Sequence, residues 1–311
     1  MALDSIKNIL VLNLSAIGDA VSSSVVINYL KKKYGAIDLA VPSKTGELFS
    51  GDPSVNLIDL KDAGNKSYDL FIDLSSSKAS RKIARNVKAK VKLARIWNIW
   101  QKIMSMLAYN AFVAGHRGHI VKDYYPILEY LGCDEKPLPE LVKLNEPKII
   151  EKINGIAAGK KIAAMHIGSQ NKIRIIPEEL SLGIIEHLKN AGAKVLLLGT
   201  EAGLAQSLVE KSAGYAIYEE LSLADLRSAM PLFNMFIGPD SGLLHMAASF
   251  GVKSIGVYGP TLASNYAPPA LCVSAVEKGL ACREKCEIPC RRGIECLRSI
   301  DLSEITRHIK L

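Results

Sequence analysis

A chain of 311 residues, 49% hydrophobic and 23% charged, is long enough for two globular domains with separate cores and too apolar to be disordered. Its apolar runs, such as residues 9–12 and 195–198, are only strand length. No membrane-spanning stretch or basic-then-apolar secretory leader is visible, so a cytoplasmic protein is expected.

In chain order, residues 6–12 are the first expected strand. A turn follows at 15–19, then a helix over 21–33 stopped by Gly35, a residue suited to a left-handed cap. Further strands are expected at 37–41, 55–60 and 69–74, and a helix at 122–131 ending at Gly132. Pro137, Pro139 and Pro147 mark a loop-rich connection leading to a boundary near 150–158. The pattern then restarts with a strand at 161–167, a helix at 177–190 with Pro177 in its first turn, a strand at 194–199 and a helix at 201–212. Ser222 opens a capping-box sequence for a helix reaching 230. Strands at 234–238 and 254–258 flank a helix at 242–250. This alternation predicts an α/β protein of two Rossmann-like domains, residues 1–155 and 156–311, with the last helix in a position to pack back on the first domain. Parallel sheets facing one another would bind ligand in a cleft at the carboxyl ends of their strands.

The net charge of +8 is unevenly spread. Residues 74–122 contain no Asp or Glu but carry Lys78, Arg81, Lys82, Arg85, Lys88, Lys90, Lys92, Arg95, Lys102, Arg117 and Lys122. Such a stretch is either a solvated basic face or a surface that steers an anionic partner. Within it, Ile96, Trp97, Ile99, Trp100, Ile103, Met104 and Leu107 recur at helical spacing, as ordinary core or as an amphipathic helix lying on a membrane. Nothing else points to nucleic acid, which is not expected as a partner.

Of six cysteines, Cys133 and Cys272 stand apart as small apolar groups. Cys282, Cys286, Cys290 and Cys296 are close together near the carboxyl terminus. Disulfides are disfavoured in the cytoplasm, so the four are either unligated thiols or ligands of one tetrahedral structural Zn²⁺ or iron ion.

Three segments at strand ends carry chemistry. In the first, Ser15, Gly18 and Asp19 form a turn in which glycine permits a tight bend. Asp19 is either a helix cap or a base that takes a proton from an attacking hydroxyl. In the second, His166 leads through Ser169, Lys172 and Arg174 to Pro177, a polar, basic loop suited to neutralising a diphosphate leaving group. The loop lacks the Gly-x-x-x-x-Gly-Lys-Ser/Thr pattern of a Walker-type NTPase. In the third, Asp240, Ser241, Gly242 and His245 open a helix whose backbone donors suit phosphate, and Gly259, Pro260 and Thr261 follow at the next strand end.

Together these strings resemble glycosyltransferase family 9, the ADP-heptose:lipopolysaccharide heptosyltransferases, over nearly the whole chain. The Asp240–His245 string is the most specific, and a carboxyl-terminal run of cysteines recurs in relatives. The resemblance implies the GT-B fold and inverting transfer without an obligatory catalytic metal or other cofactor. It implies a nucleotide-sugar donor, an anionic glycolipid or saccharide acceptor, and peripheral contact with the cytoplasmic membrane. By the same resemblance Asp19 is the general base, and Arg174 stands for a lysine that binds the donor phosphates. Asp240 contacts the donor sugar, and Ser241 and Gly242 with His245 hold the diphosphate. Asn13 stands where relatives carry arginine, Ile176 replaces a tryptophan, and the helix after Asp19 lacks a common proline. These departures leave two alternatives open: a non-catalytic nucleotide-sugar- or glycan-binding protein, and a nucleotide-sugar epimerase on the same scaffold.

Overall fold

The computed structural model describes residues 6–116, 118–286 and 290–311; Arg117 of the basic stretch lies outside them. The chain divides into two compact units, Met1–Val142 and Lys143–Leu311. Among the described residues each unit is built on a six-stranded parallel sheet.

The first unit runs β1 (Ile9–Leu12), α1 (Ile17–Tyr34), β2 (Ile37–Ala40), α2 (Ser43–Gly46), β3 (Val55–Ile58) and β4 (Ser67–Asp73). It continues with α3 (Lys78–Asn86), β5 (Lys88–Ile96), α4 (Ile99–Ser105), β6 (Ala111–Ala114) and α5 (Tyr125–Tyr130). The strand order is β3-β2-β1-β4-β5-β6. All four residues of β1 are buried, as a central parallel strand covered on both faces requires. Leu10, Leu12, Phe71, Tyr68 and Tyr109 lead the core on one face. Helix α1 ends at Gly35, whose φ of 86° explains the glycine there.

The second unit runs α6 (Pro147–Ala157), β7 (Ile162–His166), α7 (Glu178–Asn190), β8 (Lys194–Leu198), α8 (Ala202–Lys211), β9 (Ala216–Glu219) and α9 (Leu223–Ala229). It closes with β10 (Met235–Pro239), α10 (Gly242–Ser249), β11 (Ser254–Tyr258), α11 (Ala263–Tyr266), β12 (Val273–Glu277), α12 (Glu295–Arg298) and α13 (Leu302–Thr306). Its order is β12-β11-β10-β7-β8-β9. The capping box at Ser222 forms as expected: its hydroxyl accepts from Asp225 N, and Asp225 accepts from Ser222 N. Helix α13 packs on α7 of its own unit, and Leu302 occupies the space where a side chain on Gly183 would stand. Ile305 is fully buried beneath it, a contribution of about 2 kcal/mol.

Both sheets are doubly wound, and both have a point where the chain reverses its direction of spread. It falls between β1 and β4 in the first unit and between β7 and β10 in the second. Loops leaving the carboxyl ends of such a strand pair diverge to opposite faces and leave a crevice for ligand.

Candidate active site

In the first unit, the turn after β1 is built around Asn13, which is fully buried. Its amide donates to Ser23 Oγ at 2.8 Å, its carbonyl oxygen accepts from Ser15 N at 2.9 Å, and its own N–H donates to Ala40 O. A short, satisfied amide thus holds the turn in place. Leu14 N donates to Ser75 Oγ at 2.5 Å, joining the loops after β1 and β4 at the reversal point. Ala16 occupies the N-cap position of α1 and has no side chain to cap with, so Asp19, one turn in, is the acid at the positive end of the helix. Gly18 lies inside that first turn in helical conformation, so the tight bend expected of it is not what the glycine supplies.

Asp19 is half-buried, and the Tyr124 hydroxyl donates to its backbone oxygen at 3.2 Å. Burial pushes the Tyr124 phenol up to about 12, with the Arg95 guanidinium working against the shift and Asp19 and Asp123 adding to it. Arg95 is itself buried. It pairs with Asp123, donates to Leu74 O, and lies 4.3 Å over the Tyr124 ring and 5.4 Å from that of Trp97. One member of the basic stretch is therefore an internal cation beside the Asp19 turn rather than part of a solvated face.

In the second unit, three neighbouring strands, β7, β10 and β11, deliver the other two segments to one edge of the sheet. Asp240 is 5% exposed, and its Oδ2 lies 3.1 Å from Arg174 Nη1, without the alignment of a hydrogen bond. Burial raises the Asp240 carboxyl; the Thr261 hydroxyl and the Arg174 guanidinium pull it back. Arg174 Nε, Thr261 Oγ1 and Tyr258 OH are also buried without a hydrogen-bond partner. Several buried polar atoms lacking partners on adjoining strand ends describe a cradle for a polar ligand, since each costs on the order of 1–3 kcal/mol if left unpaired.

Ser241 is the N-cap of α10, but its hydroxyl does not cap. It lies 2.9 Å from His166 Nδ1 instead, leaving the start of α10 to be satisfied by other groups. His166 is buried, and desolvation lowers its imidazole to about 4, so it is neutral at pH 7. Gly242 is the first residue of α10, and His245, one turn on, is buried. Lys172 is exposed and begins the short 3-10 turn Lys172–Arg174, with the Asn171 side chain accepting from Ile173 N. Ile176, fully buried in the core, anchors this loop from below. Ser169 sits at the start of the loop and donates its N–H to Glu201 at 3.3 Å.

Glu201 and His166 were not singled out as site residues from sequence, although both lie at strand ends. Glu201 follows β8 by three residues, and its carboxylate lies against the loop after β7; a Cβ on Gly168 would stand 1.9 Å from its Oε2. The readable signal was an acid just past the second strand of a doubly wound unit.

Cys282, Cys286, Cys290 and Cys296 do share the wall of one cavity of about 230 Å³, with Arg283 and Arg291 among its other residues. They do not close on an ion: among the described residues no group of three or more His, Cys, Asp or Glu side chains is placed to hold a metal. None of the four is joined in a disulfide, and Cys290 Sγ accepts from Ile294 N at 3.4 Å. Of the two alternatives left open for these cysteines, a structural Zn²⁺ or iron ion finds no support among the described residues.

Comparison with known proteins identifies the family and agrees with the fold. The family model described as glycosyltransferase family 9 (heptosyltransferase) matches residues 60–293. The lipopolysaccharide core heptosyltransferase OpsX of Haemophilus influenzae is 20% identical over 81% of this chain and 79% of its own length. Lipopolysaccharide heptosyltransferase 3 of Escherichia coli is 21% identical over 78% and 81%. The solved structure of E. coli ADP-heptose lps heptosyltransferase II superposes with a TM-score of 0.79 at 16% identity, covering 97% of each chain.

Proposed function

Since the chain belongs to glycosyltransferase family 9 (heptosyltransferase) and is a glycosyltransferase of GT-B fold, we propose that its donor is a nucleotide diphosphate heptose or related sugar, ADP-heptose first. The acceptor in this reading is a lipopolysaccharide core or other anionic cell-envelope saccharide, met at the inner face of the cytoplasmic membrane. The observation that carries the donor assignment is the cluster of Arg174, Asp240 and Thr261 beside the start of α10, whose buried polar atoms include several without a hydrogen bond.

In this reading Asp19 takes the proton of the acceptor hydroxyl, whose oxygen attacks the anomeric carbon from the face opposite the leaving group. The bond from that carbon to the diphosphate oxygen breaks, its electron pair leaves with the nucleoside diphosphate, and the configuration inverts. Arg174, Lys172 and the backbone donors of Ser241 and Gly242 take up the charge developing on the diphosphate, as preorganised donors do most effectively in a partly dry site. These fixed positive groups supply what a metal ion would, so no metal is assigned a step. Asp240 receives a donor-sugar hydroxyl, with Thr261 beside it and His245 supporting the helix start. Neutral His166 orients Ser241. Glu201, placed as the second-strand acid of dinucleotide-binding folds, accepts from the ribose. Ser15 and Gly18 shape the acceptor side.

The reading is tested by a thermal-shift comparison of ADP, UDP and GDP and their sugars, followed by product analysis with a lipopolysaccharide-core acceptor. ADP-heptose should raise the melting temperature most, because a ligand bound only by the folded state stabilises it by mass action. Equal shifts with every nucleotide would remove the donor assignment, and donor binding without transfer to any acceptor would leave a binding protein.

A further inference from the structure

Among the residues at helical spacing in the basic stretch, Ile99, Trp100, Ile103, Met104 and Leu107 do not enter the core of the first unit. Helix α4 points Ile99, Trp100, Ile103 and Met104 outward, and the residues after it continue the patch: Trp100 is 74% exposed, Met106 62% and Leu107 85%. The opposite side of the segment is fixed. Ser105, Ala108 and Tyr109 are buried, and the Tyr109 hydroxyl donates to Asp73 at 2.5 Å. The segment is therefore well held while its largest apolar groups face water. Isolated exposed apolar residues need no explanation, but a contiguous group on one helix face marks an interaction surface.

The cations around it indicate what covers it. Lys78, Arg81, Lys82 and Arg85 fall at i, i+3, i+4 and i+7 and so share one face of α3, opposite the buried Ser80 and Ala84. Arg81 donates to Ser105 Oγ at 3.3 Å, which sets that face beside α4. Other basic residues of the stretch are engaged elsewhere: Lys90 pairs with Asp69, Lys92 donates to the carbonyl of Val87, and Arg95 is internal. Lys78, Lys82, Arg85 and Lys102 remain exposed around the apolar patch. Apolar and aromatic groups rimmed by cations match the interface of an anionic bilayer, where the rings enter the headgroup region and the cations meet lipid phosphates. The place also fits. Gln101 on α4 donates to Ser76 O at 3.2 Å, in the loop after β4, and that loop is joined to the Asp19 turn through Ser75. The patch thus lies at the carboxyl edge of the sheet, the edge that carries the proposed base.

We infer that α4 and the residues to Leu107, flanked by the basic face of α3, dock the protein on an anionic phospholipid surface, so that a lipid-borne acceptor is presented to the Asp19 edge. The inference rests on the transferase reading above for its purpose but not for its test. Purified full-length protein is sedimented with vesicles of phosphatidylglycerol and phosphatidylethanolamine and, separately, of phosphatidylcholine. Binding to the anionic vesicles alone is expected, weakened by salt, with a blue shift of tryptophan emission that disappears in Trp100→Tyr. The variant Ile103→Ser/Leu107→Ser should lower the partition coefficient about tenfold. The triple change Lys78→Gln/Lys82→Gln/Arg85→Gln should lower it on the order of 100-fold, about fivefold for each cation. Both variants replace exposed side chains and should keep the wild-type melting temperature and rate on a water-soluble acceptor. Absence of vesicle binding by a protein that transfers sugar to a soluble acceptor overturns the docking surface and leaves the transferase standing. Vesicle binding that both variants retain in full overturns it as well, as does a stable dimer that Leu107→Ser dissociates. Vesicle binding lost in the variants, by a protein that transfers sugar to nothing, supports the surface and removes the transferase.

Discussion

The two units set an aspartate beside the reversal point of a parallel sheet and then treat it in opposite ways. Asp240, between β10 and α10, is almost wholly buried, pulled towards Arg174, and raised by desolvation. Asp19, in the first turn of α1, is half-buried, with Tyr124 and Arg95 behind it. An acid that must accept and release a proton needs a path to solvent and room for its partner, whereas an acid that only orients a sugar is better held still. Topology brings both acids to the carboxyl edge of a parallel sheet, and local packing sets how exposed each is there.

The comparison breaks most sharply at Asp19. Replacing it with Asn, which keeps the shape and removes the base, should lower kcat by about 10²–10⁴-fold while leaving donor affinity unchanged in calorimetry. A variant that loses donor affinity instead would place Asp19 with Asp240. Next, Arg174→Ala and Asp240→Asn should each weaken donor binding by about 10–100-fold, the worth of a charge-assisted hydrogen bond. The double variant should lose less than the sum, because the two groups face one another; strict additivity in a double-mutant cycle would argue that they act apart.

A smaller effect concerns pH. His166 has a folded-state value of about 4, below the roughly 6.5 of an unfolded chain, so the unfolded state binds the extra proton between those values. The stability held by neutral His166 is complete above pH 6.5 and is lost as pH falls towards 4, up to roughly 3 kcal/mol. Melting temperatures measured across that window should decline less steeply in His166→Gln than in the wild type.

Much of this fold was legible because each buried parallel strand is a short apolar run, and Ser254–Tyr258 was bounded correctly from the sequence. Strand β5 was missed for an instructive reason. In Lys88, Ala89, Lys90, Val91, Lys92 and Leu93 the strict alternation of a strand is present, but its lysines read first as a charge run. Strands β9 and β12, at the sheet edges and with few fully buried residues, give little apolar signal. Helical spacing in the Trp100 segment foretold α4 but not which way it faces, since periodicity marks an apolar face without naming its partner. Within the site, Arg174, Asp240, Ser241 and Thr261 converge as their motifs suggested. The pairing of His166 with Ser241, the placement of Glu201 and the role of Arg95 depend on neighbours distant in sequence, which one chain read in order does not disclose.

Under the proposed function, the missing side chain of Gly168 bears on nucleotide choice. Because the atoms a methyl group there would meet first all belong to the tip of the Glu201 side chain, alanine at 168 acts as a wedge that swings that carboxylate. If Glu201 holds the ribose, Gly168→Ala should blunt the enzyme's discrimination between ribo- and deoxyribonucleotide donors without touching its preference among sugars. A single hydrogen atom's worth of space would then be a determinant of which pentose is admitted.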